Sequence, residues 1–226
     1  MREIEPVAVI YTAFPCKFGV PRQSGLTDTR AKIVFNKKYA VAEALRGIEE
    51  FSHLWLIWDF SLAHREGFSP TVRPPRLGGN ERRGVFATRS PFRPNSLGLT
   101  CVKLIGVDYE CENGPVLTVT GADIVSGTEI YDIKPYIPYA DSVPDACGGF
   151  ASAHENDTVE VEYLCEIPAG IKDSLTQILA QDPRPQYIEK DEKEYSFEFG
   201  SLRVKFVYSG GKITVVSAEK FTPQDK

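Results

Sequence analysis

The sequence predicts a mainly β protein, a barrel or sandwich followed by a small α+β unit. Three observations carry that expectation. Short apolar–polar alternating runs recur from residue 7 to residue 167, punctuated by Gly and Pro. Helical spacing is scarce in that region. From Pro168 the texture changes to an amphipathic helix and three alternating runs. We therefore expect one domain over 1–167 and a small α+β domain over 168–226. The second, of about fifty residues, is too small to hold much core alone and is expected to dock on the first or on a partner.

The elements follow in order. Residues 7–11 read as a first strand. A long loop, AFPCKFGVPRQSGL, is broken by Pro15 and Pro21. Loops of that length are functional or disordered, and Phe14 and Phe18 argue against disorder. Residues 31–35 read as a strand, and 38–46 as a short helix stopped by Gly47. In FSHLWLIWDF (51–60), Leu54, Leu56, Trp58 and Phe60 share one face, and His53, Trp55, Ile57 and Asp59 the other. Both faces are largely apolar, which fits a central strand covered on both sides. Residues 61–83 form a loop rich in Pro, Gly and Arg. Strands are expected at 85–88, 99–107, 115–124, 130–137 and 158–167, the last closing the barrel region. After a helix around Ile171–Leu179, broken by DPRP, three strands are expected at 193–199, 201–208 and 212–220. The last two are joined by the hairpin signal Ser209-Gly210-Gly211.

Composition narrows the function classes. With 42% hydrophobic and 25% charged residues, the chain has the make-up of a globular protein with a real core. It has no apolar run long enough to span a bilayer, and its start lacks a signal-peptide pattern. Five scattered Cys without a CxxC pair fit reduced thiols and a cytoplasmic protein, not a zinc site or a disulfide framework. The net charge is −5, yet 73–93 carries six Arg against Glu81 alone. A positive patch on an acidic body attracts a polyanion to one face. The alternative is a solvated charged face.

Walker, GxGxxG, GxSxG and HExxH patterns are missing, and the three His are far apart, so neither a Rossmann cofactor nor a metal is expected. Asp132 and Lys134 are two apart on a strand and share a face. They are either a tuned acid–base couple or a structural ion pair. The most informative stretch is 84–99, GVFATRSPFRPNSLGL. Pro91 and Pro94 stiffen it, and Arg89 and Arg93 give it two planar donor forks for carboxylate or phosphate. It reads either as a preorganised anion site or as a solvated Pro-rich turn.

Five segments carry a family resemblance: VPRQSGL (20–26), GIEEFSHLWLI (47–57), PTVRPPRLGGNERRGVFATRSPFRPNSLGLT (70–100), GTEIYDIKPYIPYADSVPDA (127–146) and LAQDPRPQY (179–187). Together they resemble the TsaA-like family across nearly the whole chain. The resemblance implies a non-Rossmann β-barrel S-adenosylmethionine enzyme, a homodimer. Its substrate would be tRNA, methylated in the anticodon arm on N6 of N6-threonylcarbamoyladenosine. Position by position, it implies cofactor contacts from Pro21, Arg22, Gln23, Ser61, Leu62, Arg89, Leu99, Ile124, Val125, Ser126 and Gly127. Ser126 stands where the family commonly has Asp. Ser61 and Leu62 are carried over by register where the family often has His, with His64 as the alternative. Asp132 is then the candidate base and Lys134 its charge partner. Arg73, Arg76, Arg82, Arg83, Arg93 and Arg184 are expected on anticodon-arm phosphates. Two other readings stand beside this one. The first is a non-catalytic RNA-binding module, prompted by Ser126. The second is a small-molecule methyltransferase using the same pocket.

Overall fold

Six segments whose apolar residues recur at every second position close on one another into a barrel. The computed structural model describes residues 3–74, 81–154, 157–184 and 193–221. In chain order its strands are β1 (Ala8–Tyr11), β2 (Arg30–Phe35), β3 (His53–Asp59), β4 (Thr71–Val72), β5 (Arg83–Gly84), β6 (Leu97–Asp108), β7 (Val116–Thr120), β8 (Thr128–Pro135), β9 (Glu160–Tyr163), β10 (Glu194–Phe199), β11 (Leu202–Ser209) and β12 (Lys212–Lys220). The helices are α1 (Pro138–Asp141) and α2 (Ala169–Ala180). The barrel runs β1-β2-β7-β6-β3-β8 and every neighbouring pair is antiparallel. Closure leaves no free edge in this sheet.

The alternation seen in the sequence is the inside–outside pattern of this barrel. Ile10, Ile33, Leu54, Leu56, Leu117 and Ile130 point inward and have no exposed surface. Each such side chain contributes about 1.5–3 kcal/mol by leaving water. Register matches size: Trp58 lies opposite Gly98, and Leu56 opposite Thr100. Where β3 meets β8 the register shifts between Ile57 and Trp58, and Tyr131 is the unpaired residue of the bulge.

A second sheet, β10-β11-β12-β9, packs α2 on one face through Leu175, Ile178 and Leu179. Its core takes in residues from the barrel's first loop. Phe14 is 1% exposed among Phe197, Phe199 and Phe206, and Phe18 stacks near Tyr195 and Phe206. Gly200 donates its N–H to the Ala13 carbonyl at 2.7 Å. The small unit therefore fills its core with help from the loop between β1 and β2, which is the docking expected of it.

Three expected elements differ from the structure. The strand at 158–167 does not belong to the barrel: β9 pairs in parallel with β12. The barrel already closes through β1–β8 pairing, so no edge is left for it. The helix at 38–46 is a turn followed by a 3-10 helix at Ala42–Leu45, of which Leu45 alone is buried. One buried side chain is too narrow a stripe to hold a longer helix against the barrel. The strand at 85–88 is instead the β5 end plus a 3-10 turn at Val85–Ala87. Its carbonyls are taken by side chains, as described next.

Candidate functional site

The loop from Gly84 to Leu99 is braced from within by Arg93. Its Nη1 donates to the Thr88 carbonyl at 2.8 Å, with longer contacts to the Val85 and Ser90 carbonyls at 3.4 and 3.5 Å. Thr88 Oγ1 donates to the Val85 carbonyl at 2.9 Å, and Phe92 N–H donates to Ser90 Oγ at 3.2 Å. These bonds replace the strand partner the loop lacks. Arg65 lies over the Phe92 ring, 3.7 Å from its centre. The loop is stiff, as its prolines require, and its second arginine is the brace.

One face of this loop closes a cavity of about 610 Å³ against the first loop and the ends of β3 and β6. That is within the size of sites for cofactor-sized ligands. Pro21, Arg22, Gln23, Ser61, Leu62, Arg89, Leu99 and Val125, from four separate parts of the chain, line it together. Arg89 Nη1 donates to Gln23 Oε1 at 2.6 Å, joining two of those parts. Arg22 Nη2 donates to the Asp182 and Arg184 carbonyls at 2.9 and 3.2 Å, tying the cavity to the end of α2. Lys17 reaches the Leu62 carbonyl across the rim.

The cavity floor is a hydrogen-bonded relay. Trp58 Nε1–H donates to Thr100 Oγ1 at 2.9 Å, and Thr100 Oγ1–H donates to Asp123 Oδ1 at 2.7 Å. The direction is fixed, because an indole can only donate. Burial raises the Asp123 carboxyl above its ordinary 3.8, opposed by the Thr100 bond and the Arg89 charge. Gly98 makes the relay fit, since a Cβ there would lie 2.2 Å from the Trp58 ring. This donor set suits a ligand carrying both charges. Guanidinium groups meet a carboxylate, Asp123 accepts from hydroxyl or ammonium groups, and Phe92 offers flat apolar surface.

The other face of the loop borders a larger cavity of about 1610 Å³. Thr88, Arg89, Pro91, Phe92 and Arg93 form a wall common to both. Arg65, Arg73 and Arg82 are exposed along the larger one. Arg83 is half-buried, paired with Glu81 at 2.7 Å and 5.7 Å from the Phe150 ring centre. The β4–β5 ribbon, with Arg82 Nε donating to Thr71 Oγ1, holds this rim.

Several anticipated site residues lie elsewhere. Ile124 is fully buried in the barrel core. Ser126 Oγ accepts from the Thr12 N–H at 3.2 Å and Ser126 N–H donates to the Phe14 carbonyl at 2.8 Å, so this turn fastens the first loop. Neither these two residues nor Gly127 line the cavity; Val125 does. His64 sits outside it as well, paired with Asp59 at 2.7 Å. Asp132 and Lys134 pair at 2.9 Å on β8, Asp132 half-buried and Lys134 exposed, and neither lines a cavity, although Lys134 lies opposite Trp55 of the smaller one. Arg184 is 12% exposed, held by both oxygens of Asp182 and stacked 3.2 Å over the Tyr208 ring. Arg76 lies outside the described residues. Conversely, Trp58, Thr100 and Asp123 were not expected in the cavity. Their signal was present in the alternation of β3 and β6, which puts 58 and 100 on the inward face near the barrel mouth.

Comparison with known proteins agrees with this layout. Residues 9–142 match a family model described as the tRNA-methyltransferase O N-terminal domain, and residues 150–221 match one described as the TrmO C-terminal domain. The chain is 38% identical over 231 aligned residues to the Escherichia coli K12 protein named tRNA (adenine(37)-N6)-methyltransferase, covering 96% of this chain and 97% of that one. It is 44% identical to the Eikenella corrodens protein of the same name, over 69% of this chain and 90% of that one. A crystal structure of TrmO from Pseudomonas aeruginosa superposes with a TM-score of 0.76 at 31% identity, covering 97% of this chain and 99% of that one. The barrel and the second sheet are thus both matched, and the chain belongs to the TrmO family.

Proposed function

We propose that this protein is an S-adenosylmethionine-dependent tRNA methyltransferase acting on N6 of threonylcarbamoyladenosine at position 37. The observation that carries the reading is the shared wall. A cofactor-sized cavity with a half-buried carboxylate abuts an arginine-rimmed cavity more than twice its size. The two linings also share Arg22, Gln23 and Ala63, so a donor and a polyanionic acceptor can meet where the cavities adjoin. The names of the Escherichia coli and Eikenella relatives support the reaction and the position.

The smaller cavity fits S-adenosylmethionine chemically. Arg89 suits its carboxylate, Asp123 its ribose hydroxyls or ammonium, and Phe92 its adenine. Bound there, the cofactor supplies a methyl group already activated by its sulfonium. The chain's own task is alignment and exclusion of water. Ser126 does not weaken this site, because its hydroxyl is held by Thr12 and the carboxylate comes from Asp123. That removes the feature favouring a non-catalytic RNA-binding module. The 1610 Å³ cavity argues against a small-molecule acceptor.

For the proton on the acceptor nitrogen, Asp132 with Lys134 remains the candidate, and its position outside both linings favours the alternative of a structural ion pair. Asp132→Asn decides: full turnover in a folded variant removes the pair from the chemistry. The reading as a whole is tested by mass spectrometry of tRNA nucleosides from cells lacking the gene. We expect the methyl on threonylcarbamoyladenosine to vanish and to return with the gene. An unchanged nucleoside profile overturns the reading.

A further inference from the structure

We propose that Phe68 and Phe86 form a stacking site for unpaired nucleobases of the RNA, beside the methyl-transfer cavity. The inference rests on the tRNA reading and adds to it how the nucleotide loop is held.

Two large rings stand in water here. Phe86 is 75% exposed and Phe68 57% exposed, and both line the 1610 Å³ cavity. Their ring centres are 6.5 Å apart with planes at 30°, so they present roughly parallel faces. The backbone beneath them is fixed. Val85, 1% exposed, anchors the turn that carries Phe86, and Val85 N–H donates to the Pro70 carbonyl at 2.9 Å, two residues from Phe68. Ser69 Oγ donates to the Thr71 carbonyl at 2.8 Å. A fixed backbone beneath the rings reduces the entropy that binding removes.

The charge around the rings selects the occupant. Arg65, Arg73 and Arg82 border the same cavity, and the Arg93 guanidinium lies 6.0 Å from the Phe86 ring centre. Interleaved rings and guanidinium groups match a single-stranded nucleic acid, which offers a π-face and a phosphate at each residue. Neither ring lines the cofactor cavity. Phe92, farther along the same loop, lines both cavities. A base stacked on Phe86 is therefore a neighbour of the base being methylated, not that base itself.

The test measures binding of an anticodon stem-loop RNA by fluorescence anisotropy, and of S-adenosylmethionine by calorimetry, for wild type, Phe86→Ala, Phe68→Ala, Phe86→Leu and Phe86→Trp. We expect each Ala variant to lose roughly 5- to 100-fold in stem-loop affinity. Cofactor affinity and the salt dependence of RNA binding should stay unchanged, because stacking releases no counterions. Phe86→Trp should keep the affinity and Phe86→Leu should lose it. Ala variants that bind the stem-loop as wild type does overturn the proposal, as does a Leu variant that binds like Phe. A change of oligomeric mass in Phe86→Ala by light scattering also overturns it, by assigning the rings to a protein interface. Failure of the wild type itself to bind the stem-loop is a different result and overturns the tRNA reading.

Discussion

A methyl group added to Gly98 would meet the Trp58 ring 2.2 Å away, and Trp58 has no free direction to retreat because its indole N–H is bonded to Thr100. Overpacking of this kind costs about 1–3 kcal/mol. Gly98→Ala is expected to lower stability by that amount in chemical denaturation, and to weaken S-adenosylmethionine binding because the relay to Asp123 is displaced. Asp123 gives a pH prediction. Burial raises its carboxyl in the fold above the ordinary 3.8. Below that value the group is protonated both folded and unfolded, and there is no penalty. As pH rises through the raised folded value, the unfolded chain ionises more readily, and stability falls. Asp123→Asn should therefore melt higher than wild type at neutral pH. The advantage should disappear below about pH 4. The same variant should bind S-adenosylmethionine more weakly. A lower melting temperature at neutral pH would show that the carboxylate stabilises the fold instead.

At the scale of elements, alternation made the barrel strands legible, because one residue of slip would turn the whole apolar set outward. What it could not show was pairing. The run at 158–167 alternates as well as any barrel strand, yet β9 lies beside β12. Local composition contains no information on which sheet has a free edge. The loop at 84–99 was legible as stiff and cationic, but not in the division of labour between its arginines. Arg89 faces the cavity, whereas Arg93 turns back onto the loop. Side-chain bonds to carbonyls at positions 85, 88 and 90 also explain why a strand reading failed there. Hence Arg93→Ala should loosen the loop, because it removes the one nitrogen, Nη1, that serves all three carbonyls. We expect a loss of about 1.5–3 kcal/mol in local stability. Faster amide exchange across 85–97 would report it, with both cofactor and RNA affinity reduced. Arg73→Ala and Arg82→Ala, exposed and outside the brace, should instead lower the salt slope of RNA binding by about 1 each.

For the whole molecule, the loop between β1 and β2 is the joint on which both units depend. Its Phe14 and Phe18 fill the core under the second sheet, and Pro21, Arg22 and Gln23, a few residues on, line the smaller cavity. Gly19 sits between them at φ +91°, where a Cβ would lie 2.4 Å from the Phe197 ring. The two phenylalanines told from the sequence that this loop is ordered, but not against what, since their partners lie nearly two hundred residues away. The consequence is a coupling between the second sheet and the cavity that contains none of its strands. Phe14→Ala should remove about 3–5 kcal/mol from the second unit. Amide exchange in β10–β12 should accelerate accordingly, while exchange in the barrel strands should stay slow because the barrel ring is closed without this loop. Affinity for S-adenosylmethionine should fall in the same variant, although Phe14 touches no part of the cavity, because Pro21 to Gln23 lose the anchor that sets their position. Full cofactor affinity in a variant whose second sheet exchanges freely would show that the cavity is built by the barrel alone.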